Sequence, residues 1–469
     1  MKSHGLLAAA VLGIGCHAAL AQDLAPDLRA RIDAAIQQVV AKTGVPSASV
    51  GIARDGKIVF TQAFGDARLS PKMAATAAMR YPIGSVTKQF TAACVLLLAE
   101  QGKLTLDDSV SRWFPELTRS NEVTVRELLS HTSGYEDYAP QDYTIPAWTK
   151  PVDPRKVVEE WATKPLDFDP GTEWQYSNTN FVLAALIVEK ASGTPFYEFL
   201  DRNILKPLAL TGALNLDTQR NLVEPQGYER HALAPLSPAK LEAPGWYYGD
   251  ANLALTPADL LRWDISIMKR SLLKPASYDA FESAVKLKSG KETTYGLGIG
   301  VYQRGGRRLL EHSGEVGGFV SENIVWPDDG IAIVVLTNQE ASNAASLIAK
   351  AIAPLVVPAD AKPAAAAPAD DAVEAQTLAI LKGLQAGSID RSLFTPDANF
   401  YFSATTLAEF ASSLHPLGAV TSVKKQRENL RGGMVAREYE AVFTGGRSVS
   451  ISTYTLADGK LEQFLVEGK

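Results

Sequence analysis

The chain reads PIGSVTK over residues 82–88 and continues into an apolar run from Phe90 to Ala99. The run predicts a helix that begins near Ser85. Residues three apart on a helix lie on one face, so Ser85 and Lys88 should be neighbours. A serine hydroxyl becomes an effective nucleophile only with a base within hydrogen-bond reach, and a lysine one turn further on can be that base. The stretch therefore predicts covalent catalysis by Ser85 without a histidine partner.

The Ser-x-x-Lys pattern does not by itself identify the nucleophile, because it recurs along the chain. The same spacing occurs at Ser237, Ser266, Ser271, Ser283 and Ser422. Short motifs carry a high false-positive risk. The assignment of Ser85 therefore depends on its context and on partners elsewhere in the sequence.

Length and composition indicate a globular protein with more than one domain. The 469 residues exceed what one hydrophobic core usually covers. The formal net charge is -6 and the sequence contains no basic run, so nucleic-acid binding has no support. After removal of a leader that contains Cys16, only Cys94 would remain. We expect Cys94 to be a buried thiol, without an intrachain disulfide.

The first 21 residues have the pattern of a secretory signal peptide. Lys2 supplies the positive charge, the segment from Leu6 to Ile14 is apolar, and Ala19-Leu20-Ala21 is a cleavage site. The apolar segment is too short to span a bilayer. We therefore expect a periplasmic or secreted protein with no stable membrane span after cleavage. The alternatives are an uncleaved N-terminal anchor and a lipoprotein at Cys16, which lacks the leucine expected before it.

Strands early and late in the sequence, with helices between them, predict an α+β fold. Asp55-Gly56 is a strong hairpin signal. The expected strands are Ser47–Arg54, Lys57–Phe64, Tyr295–Gln303, Arg308–His312, Phe319–Trp326 and Ile331–Asn338. The expected helices are Asp27–Lys42, Val86–Gln101, Val125–Leu129, Asp153–Trp161, Phe181–Ala191, Pro195–Ile204, Pro257–Lys269 and Ala344–Ile352. This order predicts one antiparallel sheet formed by N- and C-terminal strands, flanked by helices, with an all-helical insertion.

An Ala/Pro-rich stretch divides the chain into two parts. We expect a signal peptide at 1–21, a large domain at 22–356, a linker at 357–372 and a small α+β accessory domain at 373–469. In the accessory domain we expect a helix at 373–384 and strands at 435–444, 447–455 and 461–467. No motif in the accessory domain indicates a function.

Two further segments carry side chains that suit catalysis. The sequence WQYSN at 174–178 precedes a predicted helix, and Tyr176 and Asn178 point the same way if this segment is extended. The sequence EHSG at 311–314 ends a predicted strand. A phenol and an amide aimed at one point suit proton transfer and substrate orientation. Each pattern alone is also common in ordinary turns and strand ends.

Together and in this order, the three segments resemble the penicillin-recognising serine hydrolases. The closest branch looks like the class C β-lactamase-like family, which includes serine D-alanyl-D-alanine carboxypeptidases, D-aminopeptidases and esterases. The resemblance covers about residues 28–355 and includes VRELLSHTSG at 125–134 and YSNTN at 176–180. The implied fold is that of the β-lactamases and transpeptidases.

The resemblance implies a role for each of these residues. Ser85 would be the nucleophile, Lys88 would hold or take its proton, and Tyr176 would pass a proton between Ser85 and the leaving group. The backbone N–H groups of Ser85 and Glu315 would form an oxyanion hole, in which one donor is typically worth ~3 kcal/mol of barrier. The substrate-binding residues would be Asn178, His312, Ser313 and Gly314. The family needs no cofactor and no metal.

Other catalytic arrangements have weaker support. The sequence has no Gly-x-Ser-x-Gly elbow of an α/β-hydrolase and no His-Glu-x-x-His zinc motif. His131 invites a triad with Asp107 or Asp108. A triad is recognised by geometry and not by spacing, so we expect His131 to be a structural residue at a helix end.

The sequence departs from the β-lactamase pattern at His312, where those enzymes usually carry lysine. A lysine is a permanent cation that can hold a substrate carboxylate, whereas an ordinary histidine titrates near neutrality. Glu311 and Glu315 flank this position and would add negative charge, unless both point to solvent. We therefore expect a site built for neutral or cationic substrates and not for strongly anionic β-lactams.

These observations predict an exported serine hydrolase that acts through an acyl-enzyme on small amides, D-amino-acid peptides or esters. Substrates derived from the cell wall are among the candidates. Two alternatives stay open. One is a β-lactamase, and the other is a non-catalytic penicillin-binding-like module that recognises peptidoglycan fragments. The sequence does not indicate the oligomeric state or the natural substrate.

Overall fold

The computed structural model describes residues 24–239, 242–358, 371–431 and 433–468. The predicted signal peptide and most of the predicted linker lie outside these ranges. We refer to the described residues up to 358 as the N-terminal region and to those from 371 onward as the C-terminal region. The domain boundaries expected from the sequence stay a prediction.

The described residues form thirteen α-helices and sixteen strands. The helices are α1 Pro26–Thr43, α2 Thr87–Glu100, α3 Val125–Leu129, α4 Pro154–Trp161, α5 Thr179–Ser192, α6 Phe196–Leu200, α7 Leu216–Gln219, α8 Pro257–Lys269, α9 Pro275–Phe281, α10 Ala344–Val356, α11 Asp371–Gln385, α12 Pro396–Tyr401 and α13 Ala404–Leu414. The strands are β1 Ser47–Arg54, β2 Lys57–Leu69, β3 Lys72–Ala74, β4 Tyr81–Pro82, β5 Leu214–Asn215, β6 Tyr228–Glu229, β7 Ser237–Pro238, β8 Leu253–Leu255, β9 Gly300–Arg304, β10 Arg307–Val316, β11 Phe319–Trp326, β12 Ile331–Thr337, β13 Val420–Arg431, β14 Met434–Phe443, β15 Ser448–Thr455 and β16 Leu461–Gly468.

Strands from both ends of the N-terminal region form one seven-stranded sheet in the order β3-β2-β1-β12-β11-β10-β9. β1 and β12 pair antiparallel in its centre, from Ala48 opposite Thr337 to Arg54 opposite Ile331. Asp55 and Gly56 both have positive φ in the turn between β1 and β2, as a two-residue hairpin turn requires. The antiparallel sheet and the α+β fold expected from the sequence are confirmed.

Two hydrophobic cores lie on opposite faces of this sheet. Helices α1 and α10 cover one face, where Ile36 and Ile348 pack with Ile333 of β12. The other face meets α8 and the helical insertion around α2 and α5. Both α2 and α5 are buried over most of their length, which explains why their sequences are apolar on all sides. This second core holds α2, and with it the nucleophile segment, against the sheet.

The C-terminal region forms a separate four-stranded antiparallel sheet in the order β13-β14-β15-β16. Helices α11 and α13 pack on it through their own core of residues such as Leu381, Phe410 and Tyr439. The sequence predicted β14, β15, β16 and α11. It missed α12, α13 and β13. In β13 most residues are polar or charged and many are exposed, so the strand lacks apolar alternation.

One predicted strand is shorter than expected. The segment Tyr295–Gln303 is extended in β9 only from Gly300 onward. Gly298 has φ +78°, and a Cβ there would lie 2.7 Å from the Lys88 carbonyl oxygen. Gly298 thus allows the chain to form a close turn against α2. In contrast, α3 and α8 begin and end at the residues that the sequence predicted.

Two other expectations concern burial and the membrane. Cys94 is fully buried in α2, as expected. No helix within the described ranges is both long and apolar enough to cross a membrane.

The packing of α10 on the sheet leads to a stability prediction. Ile348 is fully buried between α10, α1 and the sheet, so Ile348→Ala should lower the free energy of unfolding by about 2–5 kcal/mol through lost packing and a residual cavity. Urea denaturation would measure this change. Lys350→Ala on the exposed side of α10 is the matched control and should change stability by no more than about 0.5 kcal/mol. Equal losses for both variants would contradict the packing described.

Candidate active site

Ser85 lies in a 3₁₀ turn, Gly84–Val86, that leads directly into α2. Gly84 has φ +51°, and a Cβ on it would lie 2.5 Å from the backbone nitrogen of Glu315. A side chain at residue 84 would therefore collide with β10. The glycine allows the turn to touch the strand, and this contact brings the partly exposed Ser85 to the sheet edge.

Lys88 is fully buried one turn after Ser85. Its Nζ donates to Ser85 Oγ at 3.0 Å, to Asn178 Oδ1 at 2.7 Å and to the carbonyl oxygen of Asp250 at 3.2 Å. An ammonium has three N–H donors, and these three acceptors use all of them. The first contact is the Ser-x-x-Lys bond that the sequence predicted.

The other Ser-x-x-Lys copies do not share this geometry where the structure describes them. Their lysine Nζ atoms instead contact the Gly56 carbonyl, the Glu100 carbonyl, Glu292 and Glu428. Lys240, which belongs to the copy at Ser237, lies outside the described residues. Tertiary contacts therefore separate Ser85 from the copies at 266, 271, 283 and 422.

Asp250 is a buried acid beside Lys88 that the sequence did not point to. Its Oδ2 lies 3.9 Å from Lys88 Nζ and accepts a hydrogen bond from Tyr138 Oη at 3.1 Å. Burial raises the pKa of Asp250 to about 7, although the charge of Lys88 and the Tyr138 hydrogen bond oppose the rise. A carboxyl that titrates near neutrality can exchange a proton with its surroundings during turnover.

Tyr176 approaches the same lysine from the helical side. Its ring centre lies 5.0 Å from Lys88 Nζ and 4.2 Å from the centre of the His131 ring. Among the described residues, no side chain or backbone group hydrogen-bonds to its hydroxyl. The phenol is therefore held by its ring, while its oxygen is available to a reacting group.

The His131 ring packs against the Tyr176 ring and is not placed as a catalytic base. It is fully buried directly after α3, and its Nδ1 accepts the Ser177 backbone N–H at 3.2 Å. Burial, with Lys88 and His312 nearby, lowers the pKa of His131 well below its ordinary value. A neutral ring packed under Tyr176 agrees with the structural role expected from the sequence.

Asn178 is the N-terminal flanking residue of α5 and has helical backbone angles, so the extended backbone that the sequence argument assumed does not continue through Asn178. Its Oδ1 accepts from Lys88, and its Nδ2 donates to Asp137 Oδ2 at 3.3 Å and to the Ala139 carbonyl at 3.1 Å. Protein groups thus engage both ends of the amide. The assignment of Asn178 as a substrate-binding residue stays a prediction.

His312 faces the site from β10 as a neutral ring. Its Nε2 lies 2.7 Å from Tyr295 Oη and its Nδ1 lies 2.6 Å from the Ser313 carbonyl. Since a carbonyl only accepts, Nδ1 carries the proton and Nε2 accepts from Tyr295. Burial, together with the charge of Lys88, lowers the pKa of His312 to about 4. The sequence argument, which treated His312 as titrating near neutrality, is corrected by this burial.

The two glutamates beside His312 also differ from the expectation of a negatively charged strand. Glu311 forms an ion pair with Arg304 at 2.6 Å. Glu315 is partly buried and accepts the Ala341 backbone N–H at 2.6 Å. Burial, with a further contribution from Asp142, raises the pKa of Glu315 well above its usual range. The strand therefore presents no unpaired fixed charge to the site.

The backbone of β10 runs directly beside the nucleophile turn. A Cβ on Gly314 would lie 2.0 Å from the Ile83 carbonyl oxygen and 2.8 Å from the Ser85 backbone nitrogen. A Cβ on Gly84 would likewise lie 2.5 Å from the Glu315 backbone nitrogen. The two N–H groups that the sequence assigned to an oxyanion hole are thus neighbours, and Ser313 is exposed next to them.

A cavity of about 140 Å³ is lined by residues of the same two segments, Pro82 before the nucleophile turn and Val316 at the end of β10. Pro82, Val316 and Phe319 form part of its apolar wall, and Glu242 and Tyr247 contribute polar groups. The Tyr247 hydroxyl is buried and has no hydrogen-bond partner among the described residues.

Comparison with known proteins identifies the family of this chain. The model of the Beta-lactamase family matches residues 32–357, which is more than half of the chain. The chain belongs to the Beta-lactamase family. The prediction of a β-lactamase-related serine hydrolase is thereby confirmed at the level of the family.

Curated relatives carry names from the same group of enzymes. Penicillin-binding protein 4* of Bacillus subtilis is 29% identical over 305 residues, which cover 61% of this chain and 67% of the relative. The D-aminopeptidase of Brucella anthropi is 29% identical over 63% of this chain and 56% of the relative. The chain thus aligns with about one half to two thirds of these proteins.

A solved structure shows the same fold. The D-stereospecific amidohydrolase from a Streptomyces species is 27% identical, has a TM-score of 0.59, and covers 71% of this chain and 99% of its own.

The contact between β10 and the nucleophile turn leads to a catalytic prediction. Gly314→Ala would force β10 away from Ser85 and separate the two N–H groups, so kcat should fall by about 10²–10³-fold, as for the loss of an oxyanion donor. Steady-state kinetics on an activated ester would measure it. Gly445→Ala is the matched control, because its added methyl would meet no atom closer than 3.8 Å. A Gly314→Ala enzyme with native kcat would contradict the proposed oxyanion hole.

Proposed function

We propose that the protein is an exported serine hydrolase that forms an acyl-enzyme at Ser85 from small amides, D-amino-acid peptides or esters. The observation that carries this proposal is the 3.0 Å contact between Lys88 Nζ and Ser85 Oγ inside a buried polar network. A nucleophile with a base at hydrogen-bond distance, and a third group that orients the base, is the general signature of covalent catalysis. Asn178 is that third group.

Each residue has a defined part in the proposed reaction. Ser85 Oγ attacks the substrate carbonyl carbon while Lys88, in its neutral form, accepts the hydroxyl proton. The backbone N–H groups of Ser85 and Glu315 stabilise the oxyanion. The free hydroxyl of Tyr176 passes a proton to the leaving group, which departs as an amine or alcohol. Water then attacks the acyl-enzyme and gives one proton to Tyr176, the bond between Ser85 Oγ and the acyl carbon breaks, and Ser85 Oγ regains its proton from Lys88 as the acid departs.

The electrostatics of β10 support neutral substrates over anionic β-lactams. His312 is neutral, Glu311 is paired and burial raises the pKa of Glu315 well above its usual range, so the strand offers no cation to a substrate carboxylate. A relative named D-aminopeptidase and a solved D-stereospecific amidohydrolase also favour amide substrates. A β-lactamase is the second candidate, supported by the family match and by a relative named as a penicillin-binding protein.

The export part of the proposal rests on residues 1–21 alone. Their signal-peptide pattern favours a periplasmic or secreted enzyme, where cell-wall peptides are accessible. N-terminal sequencing of the protein recovered from the extracellular or periplasmic fraction tests it. A start near Gln22 is the expected result.

Labelling of Ser85 separates an enzyme from a non-catalytic binding module. A fluorophosphonate probe should label the native protein, and Ser85→Ala should abolish labelling and lower kcat on the order of a million-fold. Ser271→Ala is the matched control, since Ser271 begins an exposed Ser-x-x-Lys copy. Absence of labelling in the native protein by both this probe and a fluorescent penicillin would favour the binding module.

A substrate panel tests the preference for neutral substrates. We expect kcat/KM for p-nitrophenyl acetate and D-alanyl amides to exceed kcat/KM for the anionic cephalosporin nitrocefin. His312→Lys places a permanent cation on β10 and should raise kcat/KM for nitrocefin relative to the neutral ester. A permanent charge near a substrate carboxylate in a poorly solvated site strengthens binding. Native preference for nitrocefin would contradict the proposed specificity.

A further inference from the structure

The C-terminal region reaches the active site through the end of β13. Arg431, the last residue of β13, forms an isolated parallel backbone bridge with Tyr176. Its guanidinium carbon lies 5.9 Å from the centre of the Tyr176 ring, within the range of cation–π contacts. A residue from the far end of the sequence therefore contacts the phenol assigned to proton transfer.

Arg431 is anchored between the two regions. Its Nη1 donates to Tyr454 Oη at 2.5 Å and lies 3.0 Å from Asp142 Oδ1. Tyr454 Oη donates to Asp142 Oδ2 at 2.5 Å, and Gln463 Nε2 donates to the same oxygen at 3.0 Å. The Asp142 backbone N–H also donates to Gln463 Oε1 at 2.7 Å. Such a closed network fixes the position of the guanidinium.

The charge of Arg431 is permanent. Burial works against it, but Asp142, Tyr454 and Asp137 raise the pKa of Arg431 above its ordinary value, and Tyr176 contributes in the same direction. Its Nε is buried without a hydrogen-bond partner among the described residues. The hydrogen bonds that hold the guanidinium therefore leave its Nε–H group unused.

The sheet does not supply such a charge. Lysine usually stands at the position of His312 in the β-lactamases, and here the ring is neutral and engaged by Tyr295. Lys88 is the other cation near Tyr176, at 5.0 Å from its ring centre. Since Lys88 must lose its proton to act as a base, its charge cannot stay constant through the reaction.

We propose that Arg431 is a positioning residue for Tyr176 and supplies, from the C-terminal region, the fixed positive charge that β10 lacks. The inference rests on the proposed function and deepens it. A fixed cation beside a phenol stabilises negative charge on its oxygen while a proton is passed between Ser85 and the leaving group. Preorganised charge of this kind lowers the barrier without adding a contact to the substrate. The C-terminal region is thus part of the active site.

Two variants of Arg431 test the inference on the full-length protein. Arg431→Met should lower kcat on a neutral ester about tenfold to a hundredfold, less than the 10²–10³-fold typical of an oxyanion donor, with little change in KM. Arg431→Lys keeps a charge near Tyr176 and should recover most of the native kcat. Millimolar guanidinium, far below the molar concentrations that unfold proteins, should partly restore Arg431→Met.

Arg427→Met is the matched control. Arg427 lies on the same strand, is largely exposed and pairs with the exposed Glu438 at 3.7 Å. It should leave kcat, KM and the thermal midpoint unchanged. Thermal unfolding of each variant shows whether its structure is intact. A loss of kcat that comes from lost charge can be restored by lysine or by free guanidinium, whereas a loss that comes from lost structure cannot.

Three results would overturn the inference. These are a native kcat in Arg431→Met, a loss that neither lysine nor guanidinium restores, and a rise in KM with native kcat, which would instead identify a cation that binds substrate. The rate of fluorophosphonate labelling keeps this test separate from that of the proposed function. A native protein that is not labelled would overturn both, whereas a labelled Arg431→Met protein with native kcat would overturn only the role of Arg431.

Discussion

A fully buried lysine ammonium must donate all of its N–H groups to protein acceptors, because an unpaired charge in a protein interior is strongly destabilising. The arrangement around Lys88 follows from this constraint. Its acceptors come from the nucleophile turn at Ser85, the start of α5 at Asn178 and the loop at Asp250. Three segments that are distant in sequence are therefore held around one nitrogen. The same contacts leave the Tyr176 hydroxyl open to a substrate, so the requirement that stabilises the fold also prepares the site.

A second constraint acts through backbone contact and not through charge. The nucleophile turn and β10 approach so closely that neither Gly84 nor Gly314 has room for a Cβ. Two backbone N–H groups can converge on one oxygen only if their chains nearly touch, and glycine permits this. The sheet, assembled from both ends of the N-terminal region, supplies β10 at the required place. The charge network and the backbone contact together position the nucleophile, its base and the expected oxyanion donors.

The sequence predicted the elements whose patterns are local. Helices α3 and α8, the hairpin at Asp55 and the central strands have periodicity or turn residues that can be read directly. It missed β13, because a charged, largely exposed strand has no apolar alternation, and with β13 it missed Arg431. Asp250 had no signal either, since a single acid in an aromatic loop looks like any surface residue. The titration near neutrality expected for His312 was wrong, because burial and the engagement of both ring nitrogens cannot be read from residue order.

The sequence by itself determined the chemistry that this protein can perform. The order of Ser85, Lys88, Tyr176 and the strand at 312–314 indicated the family. It also predicted a serine nucleophile and its base, because a serine hydroxyl needs a base within hydrogen-bond reach. Only the tertiary structure decided which charges operate around them. It buries His312 in a neutral form, raises the pKa of Glu315 and brings Arg431 from the C-terminal region to Tyr176. The physical reason is that protonation and electrostatic coupling depend on burial and distance, which are properties of the folded chain.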